Sequence, residues 1–352
     1  MGKPKIGIFS KFDVSGGSEM RCIELANSIN QYTSYEASIF CASKMSDKLK
    51  ARVKNASVRE DIFHNKTYRL YEMSCLIVVN TDSKLFTTAD YWMGLSEKHN
   101  TCVDLTRIPQ MIFLFNYIVS PSKKLTTIEQ YCPKIKIITT NTKFFNEIGR
   151  KYQDVVHFPR IILESPIHPD SVSQTKMPSD KIRIGCLSKP VHDKWNVDWV
   201  TLIDHVNNII GKEKILWRFL GIPNSLQQTL AVFDNVECNK EFTISVKDFL
   251  EQLDLFVYLP NFSREEPWSR SIAEALLSGC PVITTNKGGN IDQIIHGNNG
   301  FLCENLDQFK ERVVFMCNHA GILQSMQKLS LRRSKYFTSK NIIDKLIDFI
   351  EW

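Results

Sequence analysis

The sequence predicts an α/β protein made of two doubly wound domains facing across a cleft. Three observations carry that expectation. Short, continuously apolar runs alternate with helical stretches in both halves of the chain, as parallel strands covered on both faces do. The length of 352 residues exceeds what one hydrophobic core usually organises. Residues 164–181, ESPIHPDSVSQTKMPSDK, are rich in Pro, Ser and Asp and have no periodicity, which marks a linker.

Taken in order, Lys5–Ser10 reads as a strand, followed by the loop FDVSGGS at 12–18. A helix over 19–30 has Met20, Ile23, Leu25 and Ala26 as its apolar residues. Further strands are predicted at 35–41, 75–79, 111–115 and 135–140, then at 182–187, 215–220, 255–259 and 282–284. The last helix, over 339–352, has Ile342, Ile343, Leu346, Phe349 and Ile350 at helical spacing. That stripe suits core or domain-bridging packing better than a membrane surface.

Apolar residues make up 43% of the chain and charged residues 23%, with a net charge of +6. Residues 1–165 hold 23 Lys+Arg against 16 Asp+Glu, and the remainder 21 against 22. The basic excess therefore sits in the first half. Two readings stay open for it: solubility, or peripheral contact with an anionic membrane or polyanionic acceptor. Nucleic acid is disfavoured, because no basic run is interleaved with aromatics. The first residues run directly into a strand with no secretory apolar region, and Ile6 stands where a myristoylation signal needs Ser or Thr. The longest apolar stretch, 111–119, falls short of the roughly 20 residues of a membrane span. Ten cysteines form no Cys-x-x-Cys pair and the histidines do not cluster, which points away from zinc and disulfides and toward a reducing cytoplasm. No Gly-x-Gly-x-x-Gly follows a strand, which disfavours a dinucleotide oxidoreductase.

The most informative stretch is REEPWSRSIAEALLSGCPVITTNKGGN, residues 264–290. A helix entered at Glu266, with Pro267 in its first turn, would put Glu266, Arg270 and Glu274 on one stripe. Gly279 would cap it, and Pro281 would open the next strand. One reading of the stripe is an exposed salt-bridge ladder. The other is a binding site whose carboxylates, repelling phosphate, take neutral hydroxyls. Eight helical residues span about 12 Å, a separation suited to the two sugars of a nucleotide-sugar.

Residues 267–302, PWSRSIAEALLSGCPVITTNKGGN followed by HGNNGFL, with Glu266 before them, resemble the donor-binding core of retaining GT-B glycosyltransferases of family 4. The shared pattern is Glu, seven residues, Glu-Ala, small-Gly-x-Pro-Val, a Gly-Gly turn and a distal Asn-Gly. The resemblance implies a GT-B fold of two Rossmann-like domains: an acceptor-side domain at 1–165, a linker at 166–181 and a nucleotide-sugar domain at 182–338. It also implies a terminal helix, 339–352, that packs back on the first domain. By the same resemblance Glu266 contacts donor sugar hydroxyls, and Glu274 binds the ribose. Pro267, Trp268, Ser269 and Arg270 complete the donor site, with backbone amides near Trp268 and Ser269 reaching sugar or phosphate. IGCLSKPVHDKW, 184–195, resembles the family segment in which an Arg and a Lys clamp the diphosphate. Lys194 matches the Lys, while Cys186 stands where the Arg would be, leaving Lys189 as its substitute. The loop 9–19, with Gly16 and Gly17, resembles the first-domain loop that approaches donor phosphates.

No Asp-x-Asp occurs in the chain, in keeping with a metal-free, front-face transfer that needs no cofactor. The implied activity moves a sugar from a UDP- or GDP-type donor to a glycan or lipid-linked acceptor, in envelope polysaccharide biosynthesis at the inner face of the membrane. Two alternatives stay open: a degenerate relative that binds sugar nucleotides without turnover, and a sugar-nucleotide epimerase. Asn80, Asp82, Asp104 and Asn116 are strand-end polar residues available to an acceptor.

Overall fold

The structure, a computed structural model, describes residues 2–10, 12, 17–61, 70–80, 107–115, 129, 132, 134–151, 157–168, 170, 172 and 176–352. The chain divides into two compact units: Met1–Pro166 with Ser339–Trp352, and Ile167–Thr338.

The first unit is organised by β1 (Lys5–Ser10), α1 (Gly17–Tyr32), β2 (Glu36–Cys41), α2 (Asp47–Lys50), β3 (Ser57–Arg59), β4 (Cys75–Asn80), β5 (Met111–Phe115), β6 (Ile135–Thr139), α3 (Thr142–Lys151) and β7 (Arg160–Ile162). Its seven strands form a parallel sheet in the order β3-β2-β1-β4-β5-β6-β7. At the centre Ile8 of β1 pairs with Ile39 on one side and Ile77 on the other. Central strands are buried on both faces, so they carry apolar side chains at consecutive positions.

The C-terminal helix Ser339–Glu351 belongs to this unit and buries Ile342, Ile343, Leu346, Phe349 and Ile350 in the core that holds Ile6, Ile8, Ile23 and Leu25. The Lys136 ammonium, buried in β6, donates to the carbonyls of Phe349 and Ile350. It thereby satisfies acceptors that every helix leaves open at its end. A second buried cation, Arg21 of α1, donates to the carbonyls of Leu163 and Glu164.

The second unit contains β8 (Ile182–Leu187), α4 (Trp199–Ile210), β9 (Ile215–Leu220), α5 (Asn224–Leu230), β10 (Val236–Asn239), α6 (Val246–Glu251), β11 (Leu255–Tyr258), α7 (Arg270–Leu277), β12 (Val282–Thr285), α8 (Asn290–Gln293), β13 (Gly300–Cys303), α9 (Leu306–Asn318) and α10 (Ala320–Ser334). The parallel strand order is β10-β9-β8-β11-β12-β13. Trp199 of α4 anchors the core edge-on to Trp217 and Phe219 of β9, at centroid distances of 6.3 and 4.8 Å. Ile167 and Val172, from the stretch read as a linker, are buried in the same core.

The helix expected from Glu266 begins four residues later, at Arg270, behind Ser269 as its N-cap. In a helix starting at Glu266, that residue's carbonyl would accept from the Arg270 amide. It accepts instead from the amide of Gly289, at 2.7 Å. Glu266 and Glu274 therefore do not share a helical stripe, and of the Glu–Arg–Glu ladder only the Arg270–Glu274 rung forms within the helix. The other end is as the sequence indicates: Gly279 sits at φ +70°, its amide bonds the Leu276 carbonyl, and the Cys280 amide bonds that of Ala275. This is a Schellman turn.

Candidate functional site

Strand order in the second sheet reverses between β8 and β11, which are paired neighbours. Open α/β sheets bind ligands just outside the carboxyl ends of the strands at such a switch point. The loops leaving these two strands carry Lys194 and Glu266.

Lys194 ends the short 3-10 turn His192–Lys194 after β8, and its ammonium lies 3.0 Å from Glu266 Oε1. The same oxygen accepts from the Tyr258 hydroxyl and from Arg264 Nε, each at 2.8 Å. The Glu266 side chain is only 6% exposed, against 25% for Lys194 and 16% for Arg264. Burial pushes the Glu266 carboxyl up, but Lys194, Arg264 and the tyrosine hydroxyl together outweigh it and leave it below the ordinary carboxylate value. Tyr258 moves far the other way, raised by its own burial and then by the adjacent Glu266 charge. The result is a fixed carboxylate, a tyrosine that stays protonated, and two cations on one oxygen.

Glu266 is held by its backbone as well. Pro267 biases the residue before it toward extended geometry, and the turn at Gly288-Gly289 packs directly against this segment. A Cβ on Gly288, whose φ is +55°, would lie 2.3 Å from the Glu266 carbonyl oxygen. One on Gly289 would lie 2.1 Å from that of Pro267. The Gly-Gly turn thus exists to bring two backbones together. The distal Asn-Gly works one layer further out. Asn299 donates to the Gln293 carbonyl and accepts from the Ile295 amide, at 3.2 and 2.7 Å. Gln293 in turn grips both backbone groups of Ser269, at 3.1 and 2.9 Å.

That grip revises one expectation. The Ser269 amide is bonded to Gln293, and the Ser269 hydroxyl accepts from the Ile272 amide, so Ser269 holds the start of α7 rather than presenting an amide to phosphate. Trp268 is half-buried and packs edge-on against Phe337, at a centroid distance of 5.9 Å. On α7, Arg270 Nε lies 2.7 Å from Glu274 Oε1, with side-chain exposures of 19% and 8%. Lys189 is half-buried and its carbonyl is pinned by Trp195 Nε1 at 2.8 Å. Cys186 is fully buried in β8, and burial pushes its thiol up, so position 186 supplies neither a cation nor a thiolate.

Gly17 opens α1 in the first unit, with no atom of the described residues within 4 Å of where its Cβ would lie, while Gly16 lies outside the described residues. Asn80 ends β4; Asp82, Asp104 and Asn116 also lie outside the described residues. Among the described residues no helix is long and apolar enough to cross a membrane.

Sequence reasoning missed Arg264, Asp193 and Tyr258. A signal for Arg264 was present: it stands two residues before Glu266, close enough along the chain for its long side chain to reach that carboxylate.

Residues 181–319 match the family described as Glycosyl transferases group 1. Over 99 residues the chain is 29% identical to spore coat protein SA of Bacillus subtilis (strain 168), covering 27% of this chain and 26% of that relative's length. A glycosyltransferase from Rickettsia africae ESF-5 superimposes with a TM-score of 0.75 at 14% identity, covering 100% of this chain and 98% of that one. Anabaena Alr3699/HepE in complex with UDP and glucose gives 0.69 at 14% identity, covering 99% of each chain. Sucrose-phosphate synthase from Thermosynechococcus elongatus gives 0.71 at 11% identity, covering 99% of this chain and 98% of that one. The fold is GT-B, with two Rossmann-like α/β domains, and the resemblance to family-4 glycosyltransferases holds at the segment that carries the site.

Proposed function

We propose that this chain, whose residues 181–319 match the glycosyltransferase group 1 family, transfers a sugar from a nucleoside-diphosphate donor to a glycan or lipid-linked hydroxyl, with retention and without a metal ion. The observation that carries the reading is the buried Glu266 carboxylate with Lys194 and Arg264 on one oxygen, at the strand-order reversal of the sheet. A carboxylate there accepts hydrogen bonds from sugar hydroxyls, while the cations neutralise charge that develops on the departing diphosphate. HepE is described in complex with UDP and glucose and with UDP-glucose, which favours a donor of this class.

In this reading Lys194 and Lys189 face the diphosphate, Glu266 orients the sugar, and Glu274 on α7 fixes the ribose hydroxyls. The acceptor hydroxyl forms its bond to the anomeric carbon on the face from which the diphosphate departs. The bond to the diphosphate breaks, and the leaving phosphate oxygen takes the hydroxyl proton. The chemistry then rests on positioning and charge rather than on a protein base. The glycan belongs to envelope polysaccharide synthesis, and the basic N-terminal half favours work at an anionic membrane surface.

The test is nucleotide release from UDP-, GDP-, ADP- and dTDP-sugars in the presence of EDTA, with the anomeric configuration of the product read by NMR. Release that survives EDTA, with the donor's configuration kept, is the expected result. An inverted product, or release that requires added divalent metal, overturns the mechanism. A new sugar nucleotide formed from donor alone would identify an epimerase instead.

A further inference from the structure

Arg264 plays no part in the sequence expectations, yet it is the best-placed cation beside Lys194. Its Nε bonds Glu266 Oε1 at 2.8 Å, and Lys194 Nζ lies 3.0 Å from that same oxygen. The two nitrogens are therefore at most 5.8 Å apart, so an anion that reaches Lys194 also reaches the guanidinium. A terminal nitrogen of Arg264 bonds Asp193, on the turn after β8. The guanidinium thus bridges the loops that leave β8 and β11.

These two carboxylates differ. The Glu266 side chain is 6% exposed and held by Tyr258, so it aims the guanidinium rigidly. The Asp193 side chain is 56% exposed, and such a pair is screened by water and worth little. A planar guanidinium matches phosphate oxygens in a way that an ammonium does not. Within β8 itself, position 186 is a buried thiol, so the strand end offers no arginine of its own.

We propose that Arg264 is the diphosphate-binding arginine of this protein. Its Nε stays on Glu266, while its terminal nitrogen exchanges Asp193 for a phosphate oxygen of the donor. The inference rests on the nucleoside-diphosphate reading above.

The two carboxylate partners make the test two-signed. Affinities of the full chain for UDP, GDP, ADP and dTDP, each beside its own nucleoside, would be measured by titration calorimetry for wild type, Arg264→Met, Arg264→Lys and Asp193→Asn. Arg264→Met should weaken the bound nucleoside diphosphate roughly 10- to 100-fold, with the nucleoside changed by less than twofold. Arg264→Lys should recover part of the loss. Asp193→Asn, which removes a competing anion, should tighten the diphosphate about two- to fivefold. A purely structural ion pair predicts otherwise: both neutralising variants would weaken nucleoside and diphosphate alike, or change neither, and either outcome overturns the proposal. Unchanged nucleoside binding reports a folded site in each variant. If wild type binds one diphosphate and Arg264→Met binds it equally well, the inference fails while the functional reading stands. If wild type binds none of the four, the functional reading falls and the inference with it.

Discussion

Two sets of cations, one in each unit, end on different kinds of acceptor. In the first, Arg21 and Lys136 end on backbone carbonyls: Leu163 and Glu164 for one, Phe349 and Ile350 for the other. Burial lowers both, Arg21 to about 10, and neither has a carboxylate among these partners. In the second, Lys194, Arg264 and Arg270 end on the carboxylates of Glu266 and Glu274 and keep part of their surface open to water. These carbonyls belong to the scaffold, one pair at the end of the C-terminal helix and the other just after β7. A carboxylate partner at the carboxyl edge of a sheet can give way to a diphosphate. Acceptor and place together separate the cations of the fold from those of the chemistry, since Arg183, buried on Asp254 at the start of β8, has a carboxylate partner away from that edge.

The comparison breaks most sharply at Lys136. Replacing it with Met would take the ammonium donor from the Phe349 carbonyl, leaving Ile350 only the Gln110 amide, and unfolding in urea should show a loss of about 1–3 kcal/mol. Nucleotide affinity should stay within twofold. A large fall in affinity would mean that the first unit's cations are not pure scaffold. Glu274→Ala sharpens the other side. It should cost about 1.5–3 kcal/mol of nucleotide-sugar binding, roughly 10- to 100-fold in Kd, and spare the thermal midpoint of the first unit. Calorimetric titration beside a melting curve checks both.

The smallest effect concerns pH. The Glu266 carboxyl is depressed in the folded protein relative to its ordinary 4.5. Its ionised form therefore stabilises the fold above that value, and the contribution is lost as pH falls through the lowered one. Wild type should hold its margin over Glu266→Gln from pH 5 to 8. That margin should then narrow below about 4.5, by at most about 1.4 kcal/mol per pH unit. Urea midpoints at several pH values would show it; a margin that widens on acidification would contradict the assigned charge.

The strands that sequence reasoning found are those with neighbours on both sides. The four it missed, Ser57–Arg59, Arg160–Ile162, Val236–Asn239 and Gly300–Cys303, are the two edges of each sheet. An edge strand needs fewer residues and less apolar coverage, so Ser57–Arg59 and Val236–Asn239 carry little of the signal that marks Ile182–Leu187. The site was legible where the chain has a local reason for its residues, as at Pro267, Gly279 and the Gly288-Gly289 turn. It was not legible where the partner lies far along the chain. Asp193 with Arg264 and Ser269 with Gln293 are joined by tertiary placement, which no spacing encodes. For the same reason the start of α7 was misplaced: the Glu266 carbonyl goes to Gly289, more than twenty residues away.

The most direct measurement compares Lys194→Met with Lys136→Met in nucleotide-sugar titrations without added metal, each beside its own urea unfolding curve. Lys194→Met should lose at least tenfold in donor affinity, together with the share of stability that Lys194 gives the buried Glu266 carboxylate, and Lys136→Met should lose stability while its donor affinity stays within twofold. Equal losses of affinity in both variants, or none in Lys194→Met, would contradict the assignment of the second unit's cations to the donor.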